Sequence, residues 1–143
     1  MSTSVLRRGG SDHGREEQLM KEFYIDSDGI KLHAKLDRPE GVAENEKGPL
    51  CILIHGFTGH MEEDHIIAAQ KAMNDVGVTV LRAEMYGHGK SGGEFKDHTL
   101  YKWVTNALSV VHYAKSLDFV TDLYLCGHSQ GGTSDHARRW YVC

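Results

Sequence analysis

The chain has 143 residues, 40% hydrophobic and 25% charged, with a formal net charge of -4 at pH 7, which suits one soluble globular domain with a real core. That balance excludes the basic surface that nucleic-acid or anionic-membrane binding needs. No run approaches the ~20 apolar residues of a membrane span, and the N-terminal MSTSVLRRGGSDHGREEQ has no apolar signal-peptide core, so the expected compartment is the cytoplasm. Cys51, Cys126 and Cys143 make an odd count, and the first two lie in apolar runs. They read as reduced thiols, in keeping with a reducing compartment.

Residues 1–20 carry Ser, Gly, Arg and Glu without an apolar period and are expected as a disordered arm. Translation starting at Met20 is an open alternative. From there MKEFYIDSDGIKLHAKL reads as two strands joined at SDG, with Asp28 and Gly29 supplying hairpin-turn chemistry. A polar linker between Pro39 and Pro49 follows. LCILIH, residues 50–55, is a continuous apolar run suited to a strand covered on both faces. EDHIIAAQKAMNDVG places Ile66, Ile67, Ala69, Ala72 and Met73 at helical spacing and stops at Gly77. VTVLRAEM, residues 78–85, is the next strand, and YGHGKSGGEF a glycine-rich loop. In TLYKWVTNALSVVHYAKSL, Thr99 is the expected N-cap of a second helix, with Leu100, Trp103, Val104, Ala107, Val110, Val111 and Ala114 as its apolar stripe. DLYLCGHS, residues 122–129, is the third buried strand. Alternating strands and helices imply an α/β fold with a mostly parallel sheet, right-handed crossovers, and chemistry at the carboxyl ends of the strands.

That last strand runs into Gly127, His128, Ser129, Gln130 and Gly131, a GxSxG pattern. The pattern turns a strand sharply into a helix so that the serine projects, and the flanking glycines let the backbone turn. GxSxG also occurs by chance as a plain turn; its place after a buried strand is what favours a nucleophile at Ser129. A serine hydroxyl needs a base to take its proton and donors for the developing oxyanion. The Gln130 amide is one expected donor. The other is the Phe57 amide in HGFTGH, directly after the first central strand. His55 and Gly56 flank that loop, and His55 reads better as a brace than as a catalytic group.

HGFTG, GHGKSGGEF and LYLCGHSQGG, in this order and spacing, resemble the α/β-hydrolase fold, and within it the cinnamoyl or feruloyl esterases. The likeness covers residues 22–132. It implies a partial hydrolase domain over residues 21–143, with the hairpin followed by parallel strands and crossover helices and with the C-terminal strands and cap missing. It further implies a small-molecule ester as substrate, Ser129 as nucleophile and Phe57 and Gln130 as oxyanion donors. No cofactor and no metal are expected. Glu84 stands where such sequences commonly have Asp, so the role of that acid is open.

GHGKSG, residues 87–92, spells GxGxxG, but its helix begins only near Thr99, not directly after the strand as a dinucleotide site requires. A P-loop reading would need glycine at position 84, which is Glu84. His55, His60 and His65 lack the spacing that stacks two metal ligands on one helix face. In this fold the acid and the catalytic histidine follow the serine in chain order. The closing residues TSDHARRWYVC offer Asp135 and His136, which on a helix leaving the elbow would lie about 9 to 10 Å along its axis from Ser129. They also offer no apolar face to cover a sheet. The expectation is a reading frame lost, or a gene truncated, after Gly132. Two readings result: a serine esterase by ancestry, or an inert or merely binding fragment.

Overall fold

The computed structural model describes residues 20–129; the arm expected at residues 1–19 and the tail from Gln130 onward lie outside them. Strand β1, Met20–Ser27, and strand β2, Ile30–Asp37, form an antiparallel hairpin closed at Ser27 opposite Ile30. Its two loop residues, Asp28 at φ 48 and Gly29 at φ 84, are both left-handed. That is the type I′ turn, whose twist matches the paired strands and which an Asp-Gly pair suits. Along β2, Leu32, Ala34 and Leu36 face one side and His33 and Asp37 the other, and all five are buried.

Strand β3, Gly48–Ile54, is buried from Leu50 onward without alternation, as expected of a strand with a layer on each face. Helix α1, Asp64–Asp75, leads through Gly77 at φ 90 to strand β4, Thr79–Ala83. A short 3-10 turn at Phe95–Asp97 precedes helix α2, Leu100–Lys115. The Thr99 side chain accepts the Lys102 amide at 3.1 Å, capping α2 as its sequence foretold. Strand β5, Val120–Gly127, closes the order β1-β2-β4-β3-β5. The hairpin joins antiparallel through β2 and β4, while β3 pairs parallel with β4 and with β5. The sheet is thus mixed, and the mostly parallel expectation holds for its β4-β3-β5 part.

From β3 the chain crosses to β4 on one side and then to β5 on the other, so successive right-handed crossovers put the helices on opposite faces. On one face Trp103, Val110 and Ala114 of α2 pack on Leu32, Leu50, Ile52, Ile54 and Leu81. On the other, Ile66 of α1 meets Leu53 and Val80, with Ala69, Met73 and Cys126 at the margin. The reversal of direction at β3 opens a crevice at its carboxyl end, between the loops that follow β3 and β5.

Three expectations are corrected. Leu100 is 53% exposed, because it opens the first turn of α2 before the helix reaches the sheet. Ala72 is exposed, because α1 seats only Ile66 fully and its far side faces outward. Strand β5, expected to be buried, is covered at Gly127 but leaves Tyr124 44% exposed; it is an edge strand among the described residues, paired there with β3 alone.

Candidate active site

The carboxyl ends of β3 and β5 are tied together: the His128 amide donates to the Ile54 carbonyl at 3.1 Å, extending the parallel ladder one step past Gly127. The backbone then breaks to φ 56 at Ser129. A left-handed conformation is disfavoured for residues that carry a Cβ, and away from turns such strain persists where the surroundings enforce it, often at functional positions. Ser129 is exposed at the top of this turn.

Against it lies the loop after β3. A Cβ added to the buried Gly56 would sit 3.1 Å from His128 Nδ1, 3.2 Å from the His128 carbonyl and 3.3 Å from the Ser129 Cβ. The loop backbone therefore approaches the serine so closely that a Cβ would be crowded there. Gly56→Ala is expected to push Ser129 by a few tenths of an ångström and to slow its reaction with an electrophile about fivefold, small misplacements being costly where two atoms must meet. The rate of Ser129 labelling by a fluorophosphonate reads this out, and an unchanged rate would contradict it. The Gly59 amide closes a turn onto the Gly56 carbonyl at 3.0 Å. Phe57 lies in that turn, 44% exposed, its ring packed against Phe95 and His98 with centroids 5.3 and 5.2 Å away.

His55 is fully buried. Its Nδ1 donates to the Gly56 carbonyl at 2.7 Å and its Nε2 accepts the Met85 amide at 3.1 Å. Since a carbonyl only accepts and an amide only donates, the ring is the neutral Nδ1–H tautomer, joining the β3 loop to the β4 loop. Burial pulls it from the usual 6.5 to about 4. In the unfolded chain the same ring takes a proton near 6.5. Its contribution to stability is therefore complete above that pH and is lost as pH falls towards 4, about 3 kcal/mol in all. Urea denaturation from pH 7 to 4 should show this fall, and His55→Asn should flatten it; equal slopes for the two chains would contradict the assignment.

Glu84, whose role the sequence left open, is buried just beyond β4. Its carboxylate accepts from His33 Nδ1 at 2.8 Å, the Lys90 amide at 2.9 Å and the Met61 amide at 3.3 Å. It thereby fixes both the loop after β3 and the GHGKSG loop to the sheet. Gly89, at φ 53, has no room for a side chain, because a Cβ there would overlap the Glu84 carboxylate. The other nitrogen of His33, Nε2, faces Glu22 Oε2 at 2.5 Å, and that hydrogen bond holds the Glu22 carboxyl below its usual range. Beside this chain Arg82, also buried, donates twice to Asp37, at 3.2 and 3.0 Å, and to the Met61 carbonyl at 2.9 Å.

The structure thus brings His55, Gly56, Phe57, Gly127, His128 and Ser129 to one crevice. His128 is exposed there, its ring centroid 4.5 Å from that of His65. Gln130, the second expected donor, and Gly131 lie outside the described residues, as do Asp135 and His136. His60 and His65 stay on and before α1, and among the described residues no three His, Cys, Asp or Glu side chains converge on a metal position. No helix among the described residues is long and apolar enough to cross a membrane. The motifs leave the role of Glu84 open and give His88 none. For Glu84 a signal lay in the sequence: a charged residue at the end of the apolar run VTVLRAEM, where loops need anchoring.

The family model described as serine aminopeptidase, S33 matches residues 45–136. A structure of Est1E from Butyrivibrio proteoclasticus with ferulic acid bound is 65% identical, covers 79% of this chain and 45% of its own, and superposes with a TM-score of 0.75. A second structure of Est1E is 60% identical, covers 80% of this chain and 43% of its own, with a TM-score of 0.69. XC6422 from Xanthomonas campestris, titled a serine hydrolase without lid, is 23% identical with a TM-score of 0.71 over 81% of this chain and 53% of its own; that likeness concerns the fold alone. The chain spans less than half the length of the Est1E chains. The curated proteins hold no match to it.

Proposed function

Since the chain belongs to the serine aminopeptidase S33 family of α/β-hydrolases, we propose that it serves the hydrolysis of carboxylic esters through an acyl intermediate on Ser129. The observation that carries this reading is Ser129 at φ 56, exposed at the end of β5 and packed on Gly56. In the proposed reaction Ser129 Oγ bonds to the ester carbonyl carbon while a base takes its proton. The Phe57 and Gln130 amides receive the negative charge on the carbonyl oxygen, and the alcohol leaves with a proton. Water then cleaves the acyl group from Ser129 by the same steps in reverse. The base and its acid follow the serine in this fold's chain order, and Ser129 is the last residue described.

The acyl group is proposed to be a hydroxycinnamate. The support is 65% identity to an Est1E structure holding ferulic acid, whereas the family's description names an aminopeptidase. Turnover of methyl ferulate, p-nitrophenyl acetate and an aminoacyl p-nitroanilide, each compared with Ser129→Ala, separates these classes. Ser129-dependent cleavage of the two esters with the anilide untouched is the expected result. Cleavage of the anilide alone would overturn the ester reading, and Ser129-independent turnover would overturn the nucleophile.

A further inference from the structure

We propose that His88 is a positioning residue for the oxyanion hole: its ring selects the turn conformation that presents the loop from Gly56 to Thr58 to the ester oxygen. The inference rests on the ester-hydrolase reading. In the loop after β3 a residue and its backbone are in conflict. The turn closed by the Gly59 amide on the Gly56 carbonyl has Thr58 in third place at φ 68, the signature of a type II turn, which favours glycine there. A β-branched residue is a poor occupant of that conformation. Rotating the peptide between Phe57 and Thr58 would give the type I turn, which returns the third residue to negative φ and suits most residues. Left to itself, this sequence would take the type I form.

What opposes the rotation is an acceptor on another loop. The Thr58 amide donates to His88 Nε2 at 3.1 Å, and His88 Nδ1 donates to the Tyr86 carbonyl at 2.8 Å. The amide can only donate and the carbonyl only accept, so His88 is a neutral Nδ1–H ring with its lone pair on Thr58. It is held there on several sides. The ring is buried, with the His55 and Trp103 centroids each 5.1 Å away, Phe95 at 5.3 Å and His98 at 5.4 Å. Its own backbone is fixed by the His88 amide on the Met85 carbonyl and the Ser91 amide on the His88 carbonyl, both at 3.0 Å. An acceptor so confined favours one of the two turn forms, and the favoured form sets the backbone on which the Phe57 amide is carried.

Four variants test this: H88Q, H88N, T58G and the double variant T58G/H88N. A glutamine oxygen reaches about as far as Nε2 and can accept the Thr58 amide; an asparagine oxygen reaches only as far as Nδ1 and cannot. Two readouts are taken on each chain, amide exchange at Thr58 and the second-order rate of Ser129 labelling by a fluorophosphonate. For H88N the expected results are Thr58 exchange about tenfold faster and labelling about tenfold slower, the weight of one lost hydrogen bond. H88Q should stay within about threefold of the parent, because it restores that bond. T58G/H88N should recover most of the labelling rate, because glycine holds positive φ without an outside partner. Equal loss in H88Q and H88N, or no recovery in T58G/H88N, would overturn the proposal and leave His88 a packing residue. Labelling of a Ser129→Ala chain at the parent rate would instead remove the hydrolase reading, and Thr58 exchange in H88N against H88Q would then decide the role of His88 alone.

Discussion

Ser129→Ala should lower turnover of an activated ester by at least about a thousandfold, to the residue that substrate binding and oxyanion donors supply unaided. The effect is large because in the proposed reaction Oγ is the atom that forms the new bond, and no other described side chain shares its place after β5. Folding should hardly notice, since alanine keeps the Cβ and hence the strain at φ 56. Ser129→Gly separates the two roles further. It too loses the nucleophile, but it relieves the left-handed backbone, and stability should rise by about 0.5–1 kcal/mol after the added chain entropy of glycine is counted. Urea denaturation of the three chains alongside ester turnover checks both halves. An alanine variant that retains a tenth of the parent rate would contradict the account, as would a glycine variant less stable than the parent.

Glu84→Leu should cost about 3–5 kcal/mol of stability, the range for removing one partner from a buried charged network. Leucine fills the volume but accepts nothing, so the Met61 and Lys90 amides and His33 Nδ1 lose their partner together. Glu84→Gln should lose less, about 2 kcal/mol, because its amide oxygen still serves one donor while its NH2 faces the others. Glu84→Asp keeps the charge but is shorter, and the Met61 contact, already the longest at 3.3 Å, should be the one to fail. Chemical denaturation ranks the three. A loss below about 1 kcal/mol for Glu84→Leu would mean that the loops are held by something else.

The parts legible in the sequence are those governed by local rules. Asp28-Gly29 at a two-residue loop announced the hairpin, because few pairs accept two left-handed residues in succession. Thr99 announced the start of α2 through the hydroxyl it offers to a helix amide. The glycine and serine after an apolar strand announced the sharp backbone break at Ser129, because its geometry arises within a few residues. What stayed hidden depends on register between distant segments. In β2 the polar positions His33, Lys35 and Asp37 alternate with Leu32, Ala34 and Leu36, a pattern that alone reads as one wet face. The loop after β3 covers that face, and Arg82 and Glu84 rise from β4 to meet it, so the polar positions become a buried network. His88 was hidden likewise: its spacing from Thr58 carries no pattern, and only the packing of two loops brings its lone pair to that amide.

A covalent acyl bond on Ser129 is what the proposed reaction requires, and it can be trapped. The protein is mixed briefly with p-nitrophenyl acetate, quenched in acid and digested, and its peptides are weighed. One acetyl group is expected, on the peptide containing Ser129 and absent from the Ser129→Ala chain, formed as fast as the first equivalent of p-nitrophenol appears. p-Nitrophenol released with Ser129 unmodified, and equally by the alanine chain, would contradict it.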